Sequence, residues 1–331
     1  MLMVYLLFQT VDDARQFLKI PFSSRLEQHF YPELGVDLAE RAYGGDCSLT
    51  KPGGGVNWEV LRSTLFDEFV AAHIIGWWGK ALMLRDQSLL WVISIAFELM
   101  ELTFRHWLPN FNECWWDSWI LDVALCNALG IWLGMKTVRF FQSLEYDWRG
   151  LSQQPSLWGK LRRSALQFTP ASFSGFDWRP SSSPLRLLQC FFPALFFLFF
   201  ELNCFFLKYV LWVPPTNPLN TYRLLILLGL GLPGMREWYE YMEGRAHAPH
   251  SVFQKLGSFC WLGIALALVE VLVSIKFGRG EFTAPWPRAV LLAWGTALSA
   301  GAAALAWWSW RYYYAQARRK PRSRGRLAKA E

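Results

Sequence analysis

Several apolar runs in this chain approach or exceed the roughly 20 residues a helix needs to cross about 30 Å of hydrocarbon, and no other feature restricts its fold as strongly. They lie near 64–84, 88–108, 118–138, 186–213, 221–237, 252–275 and 286–310. Lipid offers no partner to an unpaired backbone group, so the spans must be helical. The expectation is an all-α polytopic membrane protein with about seven transmembrane helices. Its parts are a leading segment 1–62, a membrane domain 63–310 and a basic tail 311–331.

The opening MLMVYLLF is too short to span and lacks the basic start and cleavage site of a signal peptide, so it reads as the end of a helix. Residues 10–62, with KPGGG at 51–55, read as a soluble loop with little regular structure. No internal repeat and no separate soluble domain is visible. The net charge of +7 is concentrated at the end of the chain. From Arg311 onward eight Lys/Arg face one acid, which predicts a disordered cytosolic tail by the positive-inside rule. Such a tail attracts anionic lipid rather than nucleic acid. The basic loop 139–185 falls on the same side, which puts PNFNECWWD, residues 109–117, on the lumenal face.

Carboxylates inside apolar runs cost about 2.5–3.5 kcal/mol each at a helix centre and usually serve function. Here they cluster: Glu98, Glu101, Glu113, Asp117 and Asp122 stand close in sequence, with Asn110 and Asn127 among or beside them. Glu98 and Glu101 share a helix face. Asp117, Asp122 and Asn127 step by five, a looser alignment of about 1.4 turns. So many like charges require either protons or a hard cation, and an all-oxygen donor set favours calcium, magnesium or manganese over zinc. The alternative is that Glu98 and Glu101 pair with Arg105 and His106 while the loop acids are merely solvated.

Other polar residues extend the picture. His73, in FVAAHIIGWW, is a candidate base or a helix-packing residue. Arg163 and Gln167 share a helix face suited to phosphate. Arg236 follows Pro233 and Gly234, which are expected to break the helix, so it either sits at a cavity or ends the span at the interface. Glu201 calls for a Lys or Asn partner on a neighbouring helix. Of the cysteines, Cys47 and Cys114 could both face the lumen and pair, whereas Cys126, Cys190, Cys204 and Cys260 sit in apolar runs as small hydrophobes.

An oxygen-ligand cation beside a His and an Arg at a membrane face suits phosphatidyl transfer on a lipid headgroup. The CDP-alcohol phosphotransferases carry DGxxAR followed by GxxxDxxxD, and this chain has no Asp-Gly pair. The run FELMELTFRHWLPNFNECWWDSWILDVALCNALGIWLGM, 97–135, instead resembles the base-exchange phosphatidylserine synthases. So do HIIGWWGKALMLRD, GKLRRSALQFTPAS, ELNCFFLKYVLWVPP and MREWYEYM. The opening VYLLFQTVDDARQFLK and ERAYGGDC are more similar to the type 2 branch.

The resemblance implies a multi-pass enzyme of the endoplasmic reticulum membrane that uses calcium to exchange the ethanolamine of phosphatidylethanolamine for L-serine. Within it His73 matches a proton-transfer residue, and Glu98, Glu101, Asn110, Glu113, Asp117, Asp122 and Asn127 match catalytic positions. Glu98, Glu101 and Asp122 are the expected metal ligands; Arg163, Gln167 and Arg236 are expected to bind phosphate or the serine carboxylate. Relatives are expected to carry further helices before the point where this chain begins, and a longer lumenal loop at 20–31 sets it apart from them. An inactive truncated form, a transporter and a homodimer stay open on sequence alone.

Overall fold

The computed structural model describes residues 2–19, 46–66, 68–142, 155–161, 175–211, 213, 217–244 and 256–319. The described residues are helical apart from turns and one isolated bridge, Thr50 to Val56. In chain order the helices are α1 (Leu2–Leu6), α2 (Val11–Leu18), α3 (Trp58–Leu65), α4 (Glu68–Leu84) and α5 (Gln87–Phe104). A π-helix, Asp117–Asn127, then runs directly into α6 (Ala128–Gln142), followed by α7 (Pro184–Leu211), α8 (Pro218–Met242), α9 (Ser258–Phe277) and α10 (Arg288–Arg319).

Five of these segments are long and apolar enough to cross a membrane: α5, the π-helix with α6, α7, α9 and α10. The expected seven is not reached. Helix α4 has only 17 residues, and α8 is diluted by Arg223, Arg236, Glu237 and Glu240. Both still belong to the bundle, α4 packing on α6 and α8 on α9.

Two glycines explain the tightest helix pair. A Cβ on Gly130 would lie 2.5 Å from Ile74 O and 2.7 Å from Trp77 Cβ, and one on Gly134 would collide with Ala81 Cβ. Glycines four apart let two backbones approach closely in lipid, where packing rather than hydrophobicity drives association. That contact sets the start of α6 against the first half of α4. The main core forms beside it from Trp77, Leu84, Leu90, Ile93, Phe97, Trp178, Phe197 and Trp238.

Three expectations about the chain's course need correction. Residues 11–18 and 58–62 are helical rather than loop: Thr10 caps the first helix by accepting from Asp13 N, Ala14 is buried, and the second stretch opens the helix Trp58–Leu65. Helix α8 continues through Pro233, since neighbouring groups can serve the freed carbonyl of a membrane helix. Helix α10 runs on to Arg319, its last turns carrying Arg311 over Trp307 and Arg318 over Tyr314. The 20–31 stretch lies outside the described residues.

Candidate active site

Helices α4 and α5 form a hairpin over the turn Arg85–Asp86, with Asp86 accepting from Leu89 N to cap α5. Its open end therefore joins the first half of α4 to the last half of α5. The chain then crosses the turn Pro109–Phe111 and enters the π-helix at the same end of the bundle.

The winding of that helix places the carboxylates. Bonding between residues five apart brings Asp117, Asp122 and Asn127 toward one face, whereas an α-helix would spread them more widely. Their step of five, loose on an α-helix, is thus matched to the helix they occupy. The π-helix is rare, and where it interrupts α-helices it is frequent at functional sites.

His73 of α4 faces this row. Its Nδ1 is 3.3 Å from Asn127 Oδ1 and 3.4 Å from Asp122 Oδ1. Asn127 in turn donates through Nδ2 to Ser94 Oγ on α5 at 2.9 Å, which orients its oxygen toward the ring. Two oxygen acceptors at Nδ1 require the proton to reside there, leaving Nε2 as the basic nitrogen. Asn127 is only 1% exposed, while the His73 side chain retains 24% exposure, so the ring is anchored at Nδ1 without being fully enclosed.

Glu98 and Glu101 complete the α5 wall. Both are buried, Glu98 at 2% exposure, and Glu98 Oε2 has no hydrogen-bond partner. Glu98, Glu101, Glu113, Asp122 and Glu201 lie close enough to act on one another electrostatically. Among the described residues neither Glu98 nor Glu101 pairs with Arg105 or His106; His106 Nδ1 instead meets Thr103 O at 3.1 Å. The alternative structural reading of the two glutamates therefore fails.

The mouth is formed by Asn110, Glu113 and Asp117, all half-buried. Ser118 Oγ donates to Glu113 Oε2 at 3.4 Å. Burial first, then the Asp122 and Asp117 carboxylates, push Glu113 up to about 8 against that hydrogen bond. A disulfide, Cys47–Cys114, ties the preceding loop across this end, and Trp116 Nε1 donates to Cys47 O at 3.3 Å. Trp116 is buried and Trp115 exposed, so one of the two tryptophans is available to an interface.

Not every expected residue joins the cluster. Arg163 and Gln167 lie outside the described residues. Arg236 is exposed and ion-paired with Glu240 at 2.8 Å on its own helix. Its charge acts on Arg85, which burial and then Arg236 pull down to about 10. Arg85 follows the last residue of α4, about 18 Å along the axis from His73 at 1.5 Å per residue. Arg236 thus belongs to the opposite end of the bundle from the acids, because α8 carries through Pro233 without a break.

The structure also adds residues that sequence reasoning missed. Lys80 meets Glu201 of α7, its Nζ 2.8 Å from Oε1 and 2.7 Å from Oε2. This supplies the partner expected for Glu201. Farther along, Arg223 holds Glu270 through Nε and Nη2 at 3.0 and 2.7 Å, with Asn203 and Ser274 completing a buried polar knot. A Lys in an apolar run was the available signal for the first; nothing short of the fold links the members of the second.

With this geometry in place, the sequence model of the family described as phosphatidyl serine synthase matches residues 1–278. The chain is a member of the phosphatidylserine synthase family. A rice protein named CDP-diacylglycerol–serine O-phosphatidyltransferase 2 is 50% identical over 319 residues, covering 96% of this chain and 72% of the rice protein. An Arabidopsis thaliana protein named CDP-diacylglycerol–serine O-phosphatidyltransferase 1 is 46% identical over 93% of this chain and 70% of its own length. Human phosphatidylserine synthase 2 is 41% identical over 94% of this chain, which spans 60% of the human protein. Membership in a family of synthases and phosphatidyltransferases favours an enzyme over a transporter.

Proposed function

We propose that this membrane protein replaces the ethanolamine headgroup of phosphatidylethanolamine with L-serine, with calcium at the acidic end of the bundle. The observation that carries the proposal is the anchored His73 ring facing a wall of buried carboxylates. Phosphodiester exchange asks for that combination: a base for the serine hydroxyl, and donors for a cation beside the phosphate.

Calcium is a hard ion that takes oxygen ligands, and the carboxylates of Glu98, Glu101 and Asp122 fit it in donor type and charge. The unpartnered Glu98 Oε2 supports a missing positive partner. Among the described residues no three His, Cys, Asp or Glu side chains already stand together as a metal-holding group, so binding would have to draw these carboxylates in. When bound, the ion would polarise the phosphodiester and neutralise the acids.

His73 does the proton work. Nδ1, held by Asn127 and Asp122, keeps the ring in one tautomer, and Nε2 accepts the serine hydroxyl proton as the new P–O bond forms. The bond from phosphorus to the ethanolamine oxygen breaks, and the same proton passes from Nε2 to that oxygen. No nucleotide enters and none is released. Asp122 steadies the imidazolium in between.

The disulfide supports placing this end in an oxidising compartment, such as the lumen of the endoplasmic reticulum. The basic residues at the other end then face the cytosol.

A second reading takes CDP-diacylglycerol as the phosphatidyl donor, favoured by the names of the plant relatives. The absence of any Asp-Gly pair weighs against the CDP-alcohol phosphotransferase motif. Purified protein given labelled serine and either lipid separates the two. Phosphatidylserine formed with release of ethanolamine supports base exchange; phosphatidylserine formed only from CDP-diacylglycerol, with release of CMP, supports the second reading.

A further inference from the structure

Lys80 follows His73 by seven residues on α4, which puts the two on one face, two turns apart. Helical side chains lean toward the N-terminus, so the long Lys80 stem carries its ammonium back toward His73. The ammonium is caged by the Trp77 ring, 3.7 Å from its centroid, and by the Phe97 ring at 5.7 Å. Glu201 closes the cage. Its bond to Lys80 through Oε1 is aligned, whereas Oε2, though only 2.7 Å from the ammonium, has no hydrogen-bond donor directed at it. Both charges act on His73 and Glu98, so the pair borders the acidic site.

The proton transfer described above uses neither charge. A membrane ion pair bears a desolvation cost that packing alone does not require, and the Glu201 side chain in this one keeps 30% exposure while its Oε2 is buried against the Lys80 ammonium. Its two signs match an amino acid: serine offers a carboxylate and an ammonium beside its hydroxyl. Ethanolamine, the departing group, offers only the ammonium.

We infer that Lys80 and Glu201 form the subsite that selects a zwitterionic amino acid, Lys80 taking the serine carboxylate and Glu201 the ammonium. This rests on the base-exchange reading. The cation–π cage fixes the Lys80 ammonium, so serine meets a charge already in place. An amino alcohol engages only the Glu201 half.

The test uses purified full chain in phosphatidylethanolamine vesicles with calcium, following labelled serine and labelled ethanolamine in parallel. Lys80→Met is expected to raise the serine KM by about tenfold or more, the scale of a lost charged hydrogen bond, and to lower the serine-to-ethanolamine incorporation ratio. Glu201→Gln is expected to raise both KM values. The double variant Lys80→Met/Glu201→Gln removes the charge left unpaired by either single change and so controls for folding. It is expected to keep the lowered ratio. An unchanged ratio in Lys80→Met, or a double variant that recovers the wild-type serine KM, would overturn the inference and make the pair structural. A wild-type protein that incorporates neither label in this assay would instead overturn the base-exchange reading, and the subsite with it.

Discussion

His73 Nδ1 lies 3.4 Å from Asp122 Oδ1, joining α4 to a helix that begins 33 residues after α4 ends. Asn127 shares the same nitrogen at 3.3 Å. One edge of the imidazole is thereby committed, and the chemistry is left to the other.

That arrangement predicts unequal effects at the three positions. His73→Ala should lower phosphatidylserine formation by roughly 100- to 10,000-fold, the usual contribution of a positioned acid–base group. Asn127→Leu removes one acceptor and strands Ser94 Oγ, so it should reduce activity less and lower stability by about 1–3 kcal/mol. Turnover and thermal midpoints of the purified variants check both; equal losses of turnover at His73 and Asn127 would contradict the assigned roles.

The glycine contact between α4 and α6 yields a second prediction. Gly130→Leu should wedge α6 away from Ile74 and Trp77 and draw the Asp122 row off His73. Activity should fall by at least about tenfold, since overpacking of about 1–3 kcal/mol falls directly on the catalytic contact. Gly301→Leu, on the exposed α10 with open space around the added Cβ, is the matched control and should leave activity near wild type. Comparable losses in both would show that the tight helix pair has no special part.

Glu113 gives a pH dependence whose sign is fixed. Its folded value is raised to about 8 from an ordinary 4.5, so between those limits the native state holds a proton that the unfolded chain has lost. Calcium-free stability should therefore fall as pH rises from about 4.5 to 8 and level off above. Calcium favours the ionised carboxylate, so its apparent affinity should strengthen over the same window, by at most about tenfold per pH unit for one proton. Calcium titrations of the thermal midpoint at pH 6, 7 and 8 measure it, and Glu113→Gln should flatten the trend.

Cys47–Cys114 closes a loop with a sequence separation of 67 residues. Replacing both with Ser should cost about 2–4 kcal/mol and loosen the loop over the mouth while leaving the His73–Asp122 contact in place. The thermal midpoint should drop to the same value as that of wild type under reductant. A double variant as stable as the oxidised wild type would contradict a structural disulfide.

Much of this site was legible in the residues. Apolar length marks helices whatever their packing, and Glu98, Glu101 and Asp122 are conspicuous because acids are costly in such runs. The π-winding at Asp117–Asn127 was not legible, since a residue's type does not reveal whether its amide bonds four or five residues back; the step of five therefore looked like poor alignment. Lys80 and Glu201 are 121 residues apart, and only the packing of α7 beside α4 and α5 brings them together. For Arg236 only the cavity reading fails, and for a local reason: Pro233 reads as a break, yet the helix passes through it and carries the guanidinium, exposed, to the far end. The count of spans slipped where α4 is short and α8 is too polar to qualify.

The central claim is that buried carboxylates and calcium act together in serine exchange. Its most direct test compares wild type with Glu101→Gln across a calcium titration, counting serine incorporated against ethanolamine released. The account predicts calcium-dependent, one-for-one exchange by the wild type and none by Glu101→Gln at any calcium concentration, with both proteins equally folded in the membrane. Wild-type activity from Glu101→Gln at saturating calcium would contradict it.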